Sequence, residues 1–409
     1  MLNTKNLLAA AIIGLCLTNT NTALATNLNV SLPKFSNSYQ AALPQNKNAV
    51  ASFEEGVKLY DQGDLKAAEA AFRKAIEQEP KFAQAYIGLG NVLDDQGKPQ
   101  EAIAQYKIAI RLDPKDAGAY FNLGLTLARL DKLDEAIAQY KTAISLDPKY
   151  VKARYNLGNA YYRQGKQTEA IAEYTEVIRI DPNYAPTYAR LGNVLYDQGK
   201  KEEAIAQYKK SISLDSKYAA AHYYLATAFY EQSKLTEAVA EYTEAIRLDP
   251  DNPTGYNGLA NALYAQGKKD EALAQYKKAI SLDPEYVLAH YYLAAALYDQ
   301  NKLPEAFAEY TTVISLDPKH VQAYTGLGNV LDDQGKPQEA IAHYKKAISL
   351  DPKYAFAYYN LGITLGRQQK VNQAIDALKK AKELFQSQNN REMVERVDEL
   401  LQKINRPIN

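Results

Sequence analysis

Residues Gly88–Ala104 read GLGNVLDDQGKPQEAIA, and the same seventeen residues return unchanged at Gly326–Ala342, 238 positions further on. The stretch divides at Gly97 and Gly335. Before the glycine lies an apolar and small-residue run of helical character. After it lies a charged start leading into an alanine-rich run. Glycine is the best residue for the left-handed turn that ends a helix, so the stretch reads as the end of one helix and the start of another.

Working outward, Asp-Pro pairs give the spacing. They occur at Asp113-Pro114, Asp147-Pro148, Asp181-Pro182, Asp249-Pro250, Asp283-Pro284, Asp317-Pro318 and Asp351-Pro352, with Glu79-Pro80 and Asp215-Ser216 in the same register. Every step is 34 residues or a multiple of it, and 238 is seven such steps. Proline cannot continue a helix and disfavours helix in the residue before it, so each pair closes a second helix. Where the cap of the first helix is not glycine it is Asp131, Ser233, Asn301 or Gln369, of which Gln369 suits the left-handed conformation least.

Positions are numbered so that Val151 is position 1. Position 8 is always small, as in Gly90, Gly158, Ala226 and Gly328. Position 20 is alanine in all ten repeats, from Ala68 through Ala238 to Ala374. Position 24 is aromatic in nine, from Phe72 and Tyr106 to Tyr344, with Leu378 in the last. Helices cross closely only where side chains are small, and large apolar residues fill the space beside the crossing. Residues 49–388 are therefore read as ten helix-turn-helix repeats. Residues 389–409 supply a capping helix on which Val394, Val397, Leu400, Leu401 and Ile404 share a face. Repeats four, six and eight carry AEYT, and repeats five, seven and nine carry AxYKK, so the middle of the array alternates every 68 residues.

This pattern strongly resembles the tetratricopeptide repeat family. The resemblance implies an all-α fold, a right-handed superhelical α-solenoid whose first helices line a concave groove at positions 2, 5, 6, 9, 12 and 13. The candidate ligand-binding residues it marks are Asn91, Asn122, Tyr155, Asn156, Asn159, Tyr162, Asn193, Tyr196, Tyr223, Asn261, Tyr264, Tyr291, Asn329 and Asn360. Amides can hold both ends of a peptide group, and tyrosine offers apolar area with one hydrogen bond. The same residues also match the family's common sequence, so the scaffold alone would explain them, and some tyrosines are expected to pack on the next repeat. Chaperone-binding members clamp a C-terminal carboxylate with lysine at position 5. No repeat here has lysine there, and Lys152 and Arg190 stand isolated, so free C-termini of that kind are not expected partners.

The chain of 409 residues has 48 Lys plus Arg against 48 Asp plus Glu, which gives no support to a nucleic-acid binder. It is rich in tyrosine, with 33 Tyr against 9 Phe and no Trp. Residues 1–25 read as a signal peptide: Lys5, an apolar run from Leu7 to Leu17, then Ala23-Leu24-Ala25 as the cleavage site. Eleven apolar residues are short of the about 20 that span a bilayer, so cleavage is favoured over an uncleaved anchor. Cys16, the sole cysteine, lies in this segment behind Leu15, which argues against lipidation. Residues 26–48 read as a polar linker. Export to a periplasm, the extracellular space or an equivalent lumen is expected.

No catalytic set is found. His222 and His290 sit at a packing position, His320 in a turn and His343 on a second helix, with no metal-ligand spacing. Neighbouring residues on a helix point apart, so Asp94-Asp95 and Asp332-Asp333 are read as solvated surface rather than facing acids. Gly88 and Gly90 lie inside a helix and form no phosphate loop. The expectation is a non-enzyme without cofactor or metal, a monomer that binds partner proteins or extended peptides in its groove. An exported scaffold of polysaccharide machinery, or a sugar-binding array, stays open beside it, as does a self-assembling repeat protein.

Overall fold

The computed structural model describes residues 44–405. The proposed signal peptide and nearly all of the proposed linker lie outside them. The described residues form twenty-one α-helices, from Lys47–Asp61 to Arg391–Asn405, in an all-α helical repeat. None is long and apolar enough to cross a membrane. Two compact bodies are distinguished, one ending at Tyr224 and the other beginning at Leu225, with the division inside the helix Ala219–Glu231.

Each repeat pairs a first helix with a second, as in Val151–Arg163 and Gln167–Ile180. The turn between them closes as the sequence requires. Gly165 has φ +74°, and Lys166 N–H donates to the Tyr161 carbonyl at 2.9 Å. The four repeats without a glycine cap adopt the same turn, with φ between 58° and 60° at Asp131, Ser233, Asn301 and Gln369. The second helix stops at Asp181, whose carboxylate accepts from the Asn183 N–H at 3.0 Å and so stabilises the turn into the next repeat. The pattern recurs at Asp147, Asp215, Asp283, Asp317 and Asp351. The aspartate thus does more than precede a proline: its side chain builds the connection.

The interior follows from positions 8, 20 and 24. Ala68, Ala170, Ala238 and Ala374 are fully buried, as are Phe72, Tyr106 and Tyr174. A Cβ on Gly158 would lie 2.5 Å from the Tyr174 ring, so the position-24 aromatic lies flat across the glycine of the partner helix. Large and small residues interlock at each crossing. In the second body the last helix, Arg391–Asn405, lays Met393 and Val397 on Tyr359, Leu378 and Phe385. The proposed capping face, Val394, Leu400, Leu401 and Ile404 included, packs there.

Candidate functional site

The residues expected to line the groove come together in a recurring arrangement. In five repeats an asparagine at position 9 meets the tyrosine at position 24 of the same repeat, and at Asn91 and Asn329 it also meets the asparagine at position 6 of the next. In the first body Asn91 Oδ1 accepts from the Tyr106 hydroxyl at 2.9 Å and from Asn122 Nδ2 at 3.0 Å. Asn159 accepts from Tyr174 at 2.7 Å, and Asn193 from Tyr208 at 2.9 Å. In the second body Asn261 accepts from Tyr276 at 2.6 Å, and Asn329 from Tyr344 and from Asn360 Nδ2, each at 2.9 Å. These position-9 asparagines are buried. Their carbonyl ends are therefore engaged inside the repeat, and only the amide NH₂ end is left for a ligand. The expectation that both ends would hold a peptide group is corrected to that extent.

The position-5 aromatics also face inward. Phe53 packs on Phe82 at 4.9 Å between ring centres, Phe121 on Tyr150 at 5.0 Å, Tyr155 edge-on to Tyr184 at 5.4 Å, and Tyr291 on His320 at 4.9 Å. Tyr155 and Tyr291 thus hold neighbouring repeats together, while Tyr223 stays half-buried. Asn156 is buried and turns its amide to the Lys152 carbonyl at 2.8 Å.

Positions 12 and 13 form a second link, from one repeat to the next. The Tyr60 hydroxyl donates to Asp95 at 2.5 Å, Tyr162 to Asp197 at 2.5 Å, Tyr264 to Asp299 at 2.8 Å and Tyr298 to Asp333 at 2.8 Å. Burial, reinforced by the aspartate, holds the Tyr60, Tyr162 and Tyr264 phenols above their ordinary range, so they remain protonated donors. Where position 12 is aspartate, the next position 13 is arginine: Asp94 pairs with Arg129, and Asp332 with Arg367 at 2.7 Å. Asp94 also accepts from the Thr126 hydroxyl at 2.6 Å.

The acidic pairs are therefore corrected. Asp94 is 7% exposed and ion-paired, and each pair reaches both ways, one carboxylate to the preceding repeat and one to the following. This link went unread in the sequence, although its signal was present: tyrosine at position 12 followed 35 residues later by aspartate, or aspartate followed by arginine. Tyr196 lies beneath the Lys201 ammonium, 5.4 Å from its ring centre.

In repeat three the pattern breaks. Position 9 is Leu125, so the Tyr140 hydroxyl lacks the asparagine acceptor found in its neighbours and makes no hydrogen bond to another described residue. A cleft opens there, lined by Leu125, Ala128, Arg129, Tyr140, Asn156, Asn159, Ala160 and Arg163. Asn159 Nδ2 is buried at its edge without a hydrogen-bond partner. Arg163 donates to the Ala128 carbonyl and to Asp131, both at 2.8 Å.

The histidines are structural in their contacts. His290 Nδ1 lies 2.6 Å from Glu309 and Nε2 3.1 Å from the Pro284 carbonyl, while His320 caps its helix by accepting from the Ala323 N–H. Burial lowers the pKa of His320 and of His343, which stacks on Tyr324. No group of three metal-ligating side chains occurs among the described residues.

Comparison with known proteins agrees with this architecture. A family model described as TPR repeat matches seven stretches between residues 129 and 369, and further models described as tetratricopeptide repeat match 53–117, 106–138 and 357–388. No curated protein matches the chain at a significant level. Among solved structures, a tetratricopeptide repeat protein from Parabacteroides merdae is 20% identical, covering 61% of this chain and 99% of its own, with a TM-score of 0.52. MamA is 31% identical over 40% of this chain and 96% of its own, with a TM-score of 0.37. YrrB, a TPR protein described as having an unusual peptide-binding site, is 24% identical over 45% of this chain and 95% of its own, with a TM-score of 0.39. The family is in general one of non-catalytic scaffolds for protein–protein interaction. With its repeat models matched across residues 53–388, the chain belongs to the tetratricopeptide repeat family.

Proposed function

We propose that this protein is an exported, non-catalytic scaffold that holds a partner protein, or an extended segment of one, along the face lined by its first helices. The observation that carries the reading is the repetition of one donor-bearing junction from repeat to repeat. Asparagine NH₂ ends, held in place by tyrosine hydroxyls, recur at fixed register, and no junction among the described residues assembles a nucleophile with a base. Such a surface suits a ligand that is itself periodic in hydrogen-bonding groups, as an extended chain is.

The reading is tested by placing a photo-crosslinking residue at Lys152, exposed on a first helix, or at Lys107, exposed on a second helix, in the full chain in its native cell. Partner adducts are expected from position 152 and not from 107. Equal adducts at both, or none at either, would sink the assignment of the face. Sequencing the mature N-terminus tests export: it should begin at Thr26.

A further inference from the structure

Among the described residues, Asp94 and Arg190 are the only aspartate, glutamate, lysine or arginine side chains with less than a tenth of their surface exposed. Asp94 has Arg129 as its counter-ion. Arg190 touches no carboxylate among the described residues. Its Nε donates to the Tyr155 hydroxyl at 3.4 Å and its Nη1 to the Tyr224 hydroxyl at 3.1 Å, with the guanidinium 5.8 Å from the Tyr224 ring centre. Tyr218 and Tyr174 complete the cage.

Hydrogen bonds to neutral phenols engage two of the five N–H donors and leave the charge uncompensated, and an unpaired buried charge is strongly unfavourable. The fold does not require it. Position 6 is glycine at Gly88, Gly258 and Gly326, and Asn156 in the preceding repeat. We propose that Arg190, with the Tyr224 hydroxyl, receives the carboxylate of an aspartate or glutamate side chain in the segment bound on the first-helix face. This rests on the scaffold reading above and names the chemistry of the partner.

The direction of the hydrogen bonds supports the assignment. The Tyr224 oxygen accepts from Arg190, so its own proton is left for another acceptor, while the Tyr155 hydroxyl, which also accepts from Arg190, shares a second hydrogen bond with Tyr218. The site offers N–H and O–H donors together with a cation and has no anion of its own. Beside it Asn159, 4% exposed, is held through its carbonyl by Tyr174, and its Nδ2 lacks a partner. Donors continue into the neighbouring cleft with Tyr140, Arg129 and Arg163. A single uncompensated positive charge matches one carboxylate. A phosphate monoester, carrying about two negative charges, would leave an excess.

The test uses the full chain, a short peptide with one central Glu on a neutral background, and its Gln and phosphoserine counterparts. Wild type should bind the Glu peptide about tenfold more tightly than the Gln peptide, a difference typical of one charged contact. Arg190→Met should bind both alike and, without peptide, melt at or above the wild-type temperature, because the unpaired charge is gone. Tyr224→Phe should weaken the preference for Glu while the chain stays folded.

A wild type that does not prefer Glu to Gln overturns the proposal. So does a stronger response to phosphoserine, or an Arg190→Met chain that melts well below wild type or fails to fold, since the arginine would then be structural. A partner that crosslinks at position 152 but binds Arg190→Met unchanged ends this inference and leaves the scaffold reading standing. Loss of crosslinking at that position removes the scaffold reading itself.

Discussion

The Tyr106 hydroxyl donates to Asn91 Oδ1 at 2.9 Å, and the two side chains are 0% and 1% exposed. The same bond recurs with Asn159, Asn193, Asn261 and Asn329. Repeats one and ten replace both partners together, with Val57 and Phe72 in one and Ile363 and Leu378 in the other. These two end repeats drop the pair whole, as expected when an orphaned buried hydroxyl is worse than no hydroxyl at all, whereas repeats three and eight keep Tyr140 and Tyr310 opposite Leu125 and Ala295.

Asn329→Ala should lower stability by about 1–3 kcal/mol, because it strands the Tyr344 phenol and Asn360 Nδ2. Asn329→Leu combined with Tyr344→Phe should lose less, because only the half-buried Asn360 Nδ2 is then left without its acceptor. In a repeat array stability is local, so hydrogen exchange of the helix Pro337–Leu350 is the measurement of choice. Equal losses in the single and double variants would mean that the bond contributes nothing.

These bonds mark where sequence reading stops. Period, helix pairs, the four non-glycine caps and the terminal helix were legible because each rests on local chemistry: proline, left-handed turns and small residues at crossings. The partners of the lining residues were not. Asn159 and Tyr174 lie fifteen residues apart on different helices, and Tyr162 reaches Asp197 35 residues on, so neither contact follows from the local pattern. Arg190 appeared isolated in the sequence, and only its burial shows that this isolation is a property of the site.

Asp197 provides a pH test. Burial raises its pKa above the ordinary carboxylate value of about 3.9, and the bond from Tyr162 opposes this only in part. Asp332 is raised for the same reason, against Thr364 and Arg367. A folded-state pKa above the unfolded one means that protonation favours the fold. That contribution is fully present below the unfolded pKa and is lost as pH rises through the folded one. Asp197→Asn lacks it at every pH. Wild type should therefore gain on the variant as pH falls from about 7 to about 4. Urea melts of both chains across that range read the difference, and a gap that does not change with pH would show that the carboxylate is effectively solvated.

Gln369 holds φ at +58° without a short side chain to bond its own backbone. Gln369→Gly should raise stability by about 1 kcal/mol, the order of the left-handed penalty it relieves. Gly165→Ala is the mirror experiment. Nothing lies within 4 Å of the added Cβ, so any loss reports backbone strain alone. Thermal melts showing no change in either variant would mean that the turn relaxes freely.

The terminal helix separates a closed array from a growing one. Val397 and Phe385 are fully buried against each other's cluster, together with Leu378 and Tyr359. Deleting residues 389–409 would bare that cluster at the end of the repeats. An apolar repeat end has the shape of a surface meant for another repeat, so the truncated chain should melt earlier and associate with itself. Val397→Asp in the full chain should do the same more weakly, because a buried carboxylate there has no partner. Light scattering distinguishes the outcomes. A full chain that is monomeric beside a truncated chain that grows would assign the helix the role of blocking end-to-end stacking. Two monomers would show that the bared end is not adhesive, and the idea of a self-assembling array through it would fall.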